Sequence, residues 1–380
     1  MASEPRPVIA LGQPTIGEPE LRAIDQVFRS GWIAGGGPTG RRFATEFARV
    51  AGTRHALPVS NCTAALHLAV SALGAGAGDE VVVADYTFPA TGHAVVHAGA
   101  IPVFADVRRD TATVDPAAVE AAITGRTVGI IAVDALGQCA DYAELEAIAA
   151  ARGLWLVEDA ACASGATYRG RPAGSFGDAA CFSFHGRKGI TAGEGGALTT
   201  DRDDIAARAR KAHAFGIESA LTRAAETDMP IPRFDEIGYN YKLSDIAAAI
   251  MLVQLERLPE LVRAREHVAA TYGELLADLD LVALPVTAPD RTHAWQSYVL
   301  TLDGSVDRGA VVRRLRGEGI QCNFGTYASH LQPVYGATVP CPVSADLFAR
   351  HLAIPMHANL TDQEIERVAD TLRNAVLTSA

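Results

Sequence analysis

What most constrains the fold of this chain is the alternation of two hydrophobic periods along its first two thirds. Short apolar or β-branched runs (Val81-Val82-Val83, Val128 to Val133, Leu154 to Val157, Ala179 to Phe184) are separated by alanine-rich stretches of helical period, such as Ala64 to Leu73 and Tyr142 to Ala151. That alternation predicts an α/β layer architecture with a mostly parallel central sheet flanked by helices. In such a sheet a ligand sits beyond the carboxyl ends of the strands, which directs attention to Asp85, Asp134, Asp159 and the segment from His185 onward.

Residues 56 to 78 carry no Asp, Glu, Lys or Arg, yet they include Pro58, Ser60, Asn61, Thr63, His67, Gly74, Gly76 and Gly78. A lipid-facing helix would have to satisfy or tolerate all of these, so a buried strand, turn and helix is the better reading. With 33 basic against 44 acidic residues the net charge is -11, which offers no global attraction to phosphate backbones or anionic membranes. Neither nucleic acid nor membrane is expected as a partner. The six cysteines (62, 139, 162, 181, 322 and 341) form no CxxC pair, and the amino terminus MASEPRPVIA lacks the basic and apolar regions of a secretory signal. Reduced thiols in a cytoplasmic enzyme are therefore expected.

A length of 380 residues and 49% hydrophobic content suit one large domain with a smaller companion. The polar, Pro-containing stretch Glu218 to Glu236 reads as a long surface loop, followed by a helix from Ser244 toward Arg257. Beyond it come a helix over Leu258 to Leu276, a strand over Tyr298 to Leu302, a helix over Arg308 to Glu318, and a closing helix opened by the capping box Thr361-Asp-Gln-Glu. The predicted division is a large domain over 1–250, whose N-terminal segment is free to join the smaller one, and a small α/β domain over 251–380.

Several motifs bear on chemistry. Gly35-Gly36-Gly37-Pro38-Thr39-Gly40 matches GxGxxG, but Phe28-Arg-Ser-Gly-Trp precedes it instead of a buried strand, so a nicotinamide-binding reading lacks its context. His93 and His97 have i, i+4 spacing without an intervening Glu or a third ligand; packing histidines are expected, and no metal.

Val59-Ser-Asn-Cys-Thr-Ala-Ala-Leu-His is a strand that ends in small polar residues before a helix begins near Thr63. It offers either a phosphate cradle of unpaired amides or a plain N-cap made by Asn61 or Thr63. Asp159 ends a buried strand and is either a capping acid or the partner of a protonated heterocycle. Cys181-Phe-Ser-Phe-His-Gly-Arg-Lys188 carries a lysine into a turn with Gly193, Gly195 and Gly196, where an amine is either solvated or within reach of a cofactor aldehyde. Three nearby glycines suggest special backbone angles or a close approach. Together, the amides of 61 to 64, Asp159, Ser183 and Lys188 supply the parts needed to bind pyridoxal phosphate.

On these and further ordered motifs the chain resembles the DegT/DnrJ/EryC1/StrS sugar aminotransferases, within the fold-type I aspartate aminotransferase superfamily. The motifs are Gly31-Trp-Ile-Ala-Gly-Gly, Tyr86-Thr-Phe-Pro-Ala-Thr, Gly174-Ser-Phe-Gly-Asp, Gly238-Tyr-Asn-Tyr-Lys-Leu-Ser-Asp, His330-Leu-Gln-Pro-Val-Tyr and Ile354-Pro-Met-His-Ala-Asn-Leu-Thr. The resemblance implies that Lys188 carries pyridoxal 5'-phosphate as a Schiff base and that Asp159 pairs with the pyridine nitrogen while Phe88 stacks on the ring. It further implies phosphate contacts from Cys62, Thr63, Ser183 and, across a homodimer interface, Asn240.

Trp32, His185, Arg187 and His330, with Arg41 and Arg42, are candidates for substrate contact. Cys62 stands where the family usually has Gly, Cys162 where Gln or His is common near the cofactor 3-hydroxyl, and Lys242 where Arg is common. Family members that dehydrate deoxysugars replace the lysine by histidine, so Lys188 implies transamination, with pyridoxamine 5'-phosphate as the amino form.

The implied donor is L-glutamate and the implied acceptor a nucleotide-linked 3- or 4-keto-deoxyhexose in amino-sugar or antibiotic biosynthesis. A keto-cyclitol of the scyllo-inosose type is the alternative acceptor. A nicotinamide oxidoreductase or a noncatalytic regulatory member of the family are the rivals from other classes.

Overall fold

The computed structural model describes residues 8–217, 233–337 and 339–379. Most of the predicted Glu218 to Glu236 loop lies outside the described residues. The central sheet has seven strands: β1 (His55–Val59), β2 (Glu80–Ala84), β3 (Ile101–Ala105), β4 (Thr127–Val133), β5 (Trp155–Asp159), β6 (Ala179–Ser183) and β7 (Gly196–Thr200). Their order is β1-β7-β6-β5-β4-β2-β3. The strands from β6 across to β3 are parallel, whereas β7 runs antiparallel to both of its neighbours. The expected mostly parallel α/β sheet is therefore present, with one reversed strand that the apolar runs did not announce.

Both faces of the sheet are covered, and for that reason its strands read as unbroken apolar runs. Val82, Ile130, Leu156 and Phe182 point into one core with Phe43, Phe47 and Phe184, while Val81, Val83, Ile131 and Val157 point into the other with Leu66, Leu68 and Val70. The uncharged 56 to 78 window is strand β1 followed by helix Cys62–Ala72, buried between sheet and neighbouring helices. Among the described residues no helix is long and apolar enough to cross a membrane.

A second, three-stranded antiparallel sheet (Val282–Ala283, Tyr298–Leu302, His351–Ile354) carries its own core of Tyr272, Leu300, Leu315, Leu352, Val368 and Leu372. Ile9 joins this core, with its amide donating to the Gly319 carbonyl. The predicted strand and the two predicted helices after it are present as Tyr298–Leu302, Arg308–Gly317 and Asp362–Leu377, the last capped by Thr361 and Glu364 as expected.

One expectation is corrected. The two helices read on either side of Leu258 are a single helix, Asp245–Leu276, which runs through Pro259. Leu252, Leu255, Leu258 and Leu261 hold its first half on the large core and Val268, Tyr272 and Leu276 hold its second half on the small one. Packing at both ends outweighs the roughly 3 kcal/mol that an interior proline costs.

Candidate active site

The carboxyl ends of β5 and β6, the start of helix Cys62–Ala72 and the loop after β6 converge on one cleft with two lobes. The larger lobe, about 610 Å³, is lined by Asn61, Cys62, Thr63, Thr91, Ser183 and Tyr241 among others. The smaller, about 190 Å³, is lined by residues including Gly12, Cys162, Gln296, Phe324 and Met356. Phe88, Asp159, Ala161, His185, Arg187 and Lys188 border both lobes and so stand at their junction.

Asp159 is buried. Its Oδ2 accepts a hydrogen bond from Thr91 Oγ1 (2.7 Å), and its Oδ1 accepts one from the Ala161 amide (3.2 Å). Burial raises its pKa above the usual carboxylate range, and the bonds from Thr91 and Ala161 and the charge of Lys188 pull in the other direction. A buried carboxylate that is only partly compensated favours a cationic ring nitrogen beside it.

Lys188 Nζ donates to Cys162 Sγ at 3.1 Å. Burial disfavours its charge, but Cys162, Cys62 and Asp159 together outweigh burial and raise its pKa above that of an ordinary lysine. The Cys62 side chain reaches inward, with Sγ 4.0 Å from Asp159 Oδ1, and burial followed by the Asp159 charge pushes its thiol pKa well up.

The N-cap reading of residues 61 to 64 is observed, and it leaves amides free beside it. Asn61 is the N-cap, and its side chain accepts from the Ala64 amide at 2.9 Å. The amides of Cys62 and Thr63 have no acceptor among the described residues and remain available to an anion at the positive end of the helix. The glycine signal has a physical cause as well. Gly193 and Gly195 have φ of +87° and +154°, and a Cβ on Gly196 would meet Asn61 C at 2.6 Å and Cys62 N at 2.8 Å. The backbone of β7 thus presses directly against the cradle.

Phe88 is 60% exposed at the junction, with its ring in edge contact with Tyr327. His185 lies 3.8 Å from Glu194, and Arg187 accepts on its carbonyl from Gln296 Nε2.

Other predicted residues lie elsewhere in the chain. His330 does not line the cleft. It is tied to the Asp85 carboxylate through its amide (2.6 Å) and its Nδ1 (2.7 Å), which gives both groups a structural bond. Trp32 is half exposed and packs against Gly37, while Asn240 is exposed and accepts from Lys242 Nζ. Arg41 donates to the Gly36 carbonyl. His93 and His97 stack on each other, and His97 also meets the ring of His67 at the wall of the larger lobe.

The GxGxxG run is a helix start, and three of its amides are already taken. Gly37 and Gly40 donate to Asp245 Oδ1, and Thr39 donates to Asp245 Oδ2, at 3.1, 3.2 and 2.9 Å. A buried carboxylate supplied by the chain itself fills the place a dinucleotide pyrophosphate would need.

Thr91 and Tyr241 were not singled out from sequence. Thr91 was nonetheless within sight, because Tyr86-Thr-Phe-Pro-Ala-Thr puts it one helical turn after Phe88. Tyr241, whose hydroxyl meets His67 Nδ1 at 3.2 Å, is brought to the cleft by tertiary pairing, in which its carbonyl accepts from the Ser60 amide.

The comparisons with known proteins agree with this geometry. The chain is 35% identical over 376 residues to the spore coat polysaccharide biosynthesis protein SpsC of Bacillus subtilis (strain 168), with 96% of each chain covered. Among solved structures it is similar to DesI, determined in the presence of its TDP-sugar product, at TM-score 0.88 and 36% identity over 97% of this chain and 93% of that one. It is also similar to the sugar aminotransferase Spr1654 of Streptococcus pneumoniae in its PMP form, at TM-score 0.93 and 26% identity over 98% and 100% of the two chains, a protein solved in a PLP form too. The profile of the DegT/DnrJ/EryC1/StrS aminotransferase family matches residues 14–373. The chain belongs to that family and is a sugar aminotransferase dependent on pyridoxal phosphate.

Proposed function

We propose that this enzyme moves an amino group from L-glutamate to a nucleotide-linked 3- or 4-keto-deoxyhexose in amino-sugar or antibiotic biosynthesis, as a cytoplasmic homodimer. The observation that carries this reading is the two-lobed cleft, with one amine and one buried carboxylate at its junction. The larger lobe fits the cofactor because it combines free helix amides, Ser183, Phe88 and Asp159, and the smaller lobe is left for the reacting sugar. When bound, the cofactor supplies an aldehyde that accepts the amino group and a ring that holds the resulting electron pair.

The chain's own residues supply the rest. Asp159 holds a proton on the ring nitrogen, and Lys188 Nζ carries the cofactor and moves a proton at the reacting carbon. Phe88 would stack on the ring, while Cys62, Thr63 and Ser183 would hold the phosphate and Cys162 would contact the 3-hydroxyl. His185 and Arg187 border the sugar lobe. Trp32 and Asn240 are exposed and outside their own chain's cleft, which supports a role for Asn240 in the partner's phosphate site. Residues 1–250 form the cofactor-binding unit in this reading, with the N-terminal segment around Ile9 contributing to the smaller unit, 251–380, whose first residues continue the helix packed on the large core.

The test starts from the amino form of the enzyme, mixed separately with nucleotide-linked 3-keto and 4-keto hexoses and with keto-inositols. Return of the aldehyde-form absorbance with a nucleotide sugar is the expected result, and return only with keto-inositols would overturn the acceptor. Borohydride reduction followed by peptide mapping should place the label on Lys188, and a label on any other lysine would overturn its role.

A further inference from the structure

The 3.1 Å contact between Lys188 Nζ and Cys162 Sγ has a chemical consequence apart from transamination. Five of the six cysteines are buried, and Cys162 is the half-buried one. It lines the smaller lobe of the cleft, within reach of a small solute that enters that lobe. The Lys188 amine lies within hydrogen-bonding distance of it, whereas Cys62 and Cys181 are more deeply buried. A thiol exposed in a cleft is the kind that hydroperoxides oxidise, and a sulfenic acid condenses with a neighbouring nucleophile when one is positioned beside it.

We propose that Cys162 is a peroxide-sensitive modification site at which the oxidised sulfur captures the Lys188 amine as a sulfenamide, closing the cleft to the cofactor reversibly. In the first step the Cys162 thiol takes one oxygen from hydrogen peroxide, giving a sulfenic acid and one water, so sulfur is oxidised and peroxide reduced. In the second, the Lys188 ammonium first gives up a proton to solvent, and the neutral nitrogen attacks that sulfur. The N–S bond forms, the S–O bond breaks, and the departing hydroxyl leaves as water with a proton from the nitrogen. Two equivalents of an added thiol reverse the bridge, restoring the Cys162 thiol and the Lys188 amine while the added thiol becomes a disulfide. The bridge requires Lys188 to be free, so it belongs to the cofactor-free and amino forms. Its effect on cofactor uptake rests on the proposed role of Lys188; the bridge itself does not.

The experiment treats cofactor-free full-length protein with hydrogen peroxide and measures intact mass, remaining thiols, a non-reduced peptide map and cofactor uptake. The expected product is roughly 2 Da lighter, has lost one thiol, and yields a joined peptide pair containing Cys162 and Lys188 that dithiothreitol separates. Pyridoxal phosphate added to this product develops no cofactor absorbance until the thiol is supplied, and pre-loading with pyridoxal phosphate prevents the bridge. Cys62→Ser protein should still form the bridge, whereas Cys162→Ser and Lys188→Arg proteins should not.

Loss of two thiols with a Cys62–Cys162 peptide pair, or addition of oxygen at Cys162 with Lys188 unlinked, would overturn the proposal. A mapped bridge in protein that still takes up the cofactor with full absorbance would uphold the modification and overturn the cofactor role of Lys188 instead.

Discussion

Thr91 Oγ1 donates to Asp159 Oδ2 at 2.7 Å, so a hydroxyl one turn beyond Phe88 orients the buried acid of the cleft and favours its charged form. The bond works against burial, which raises the Asp159 pKa. Thr91→Val removes the donor with little change of shape. A hydrogen bond to a charged group contributes about 1.5–3 kcal/mol, which corresponds to a roughly ten- to hundredfold weaker hold on pyridoxal phosphate. Absorbance titration of the variant measures this, with the loss largest toward acid pH, where the freed carboxyl protonates first.

Asp245 should be a stability residue with no part in the chemistry. It is fully buried and accepts from the amides of Gly37, Thr39 and Gly40 at the start of helix Pro38–Ala51. Asp245→Ala leaves three amides without their acceptor, and a loss of about 3–5 kcal/mol in urea unfolding is expected, near the cost of breaking a buried charged pair. An Asp245→Ala protein as stable as the wild type would show that water replaces the carboxylate without cost.

Gly196 is a position of close backbone approach behind the cleft residues Asn61 and Cys62. The three nearest atoms its added Cβ would meet, all within 3 Å, belong to backbone, namely Asn61 C, Phe182 O and Cys62 N. None of these can rotate away as a side chain would. Gly196→Ala is expected to cost about 1–3 kcal/mol of stability and to shift the amides of Cys62 and Thr63, weakening phosphate and cofactor affinity together. Unchanged cofactor affinity in that variant would separate β7 from the cradle.

Asp134 and Glu158 make the stability of this protein depend on pH. Both are buried at the ends of adjacent strands, where Asp134 Oδ1 accepts from Tyr142 and from the Ala140 amide, and Glu158 accepts from the amides of Gly174 and Phe176. Burial is the first cause that raises both carboxyls, Asp134 to about 6. A carboxyl raised in the folded state favours folding below its unfolded pKa, and that contribution fades as pH climbs from about 4 through 6. Asp134→Asn keeps the acceptor and removes the ionisation. Between pH 5 and 7.5 the wild-type Tm should therefore fall by roughly 1–2 °C relative to Asp134→Asn, followed by differential scanning. A constant difference across that range would mean that Asp134 does not titrate there.

The residue pattern by itself determined the layer architecture, because a strand covered on both faces must be apolar throughout, as Val81-Val82-Val83 and Val128 to Val133 are. It also singled out Asn61 to Thr63, Asp159, Ser183 and Lys188, since the chemistry of binding a phosphate, a pyridine nitrogen and an aldehyde demands those groups at strand ends and in a Gly-rich turn.

Tertiary structure alone decided what depends on distant partners. The reversed strand β7 pairs across a chain separation that no local period records, and helix Asp245–Leu276 survives Pro259 only because two cores grip its halves. His330 and the GxGxxG amides were open in the sequence and are closed in the fold by Asp85 and Asp245, from 245 and up to 208 residues away. Thr91 and Tyr241 joined the cleft in the same way. Local periodicity reports which face of an element is buried, but the partner of a polar group is chosen by packing among elements remote in the chain.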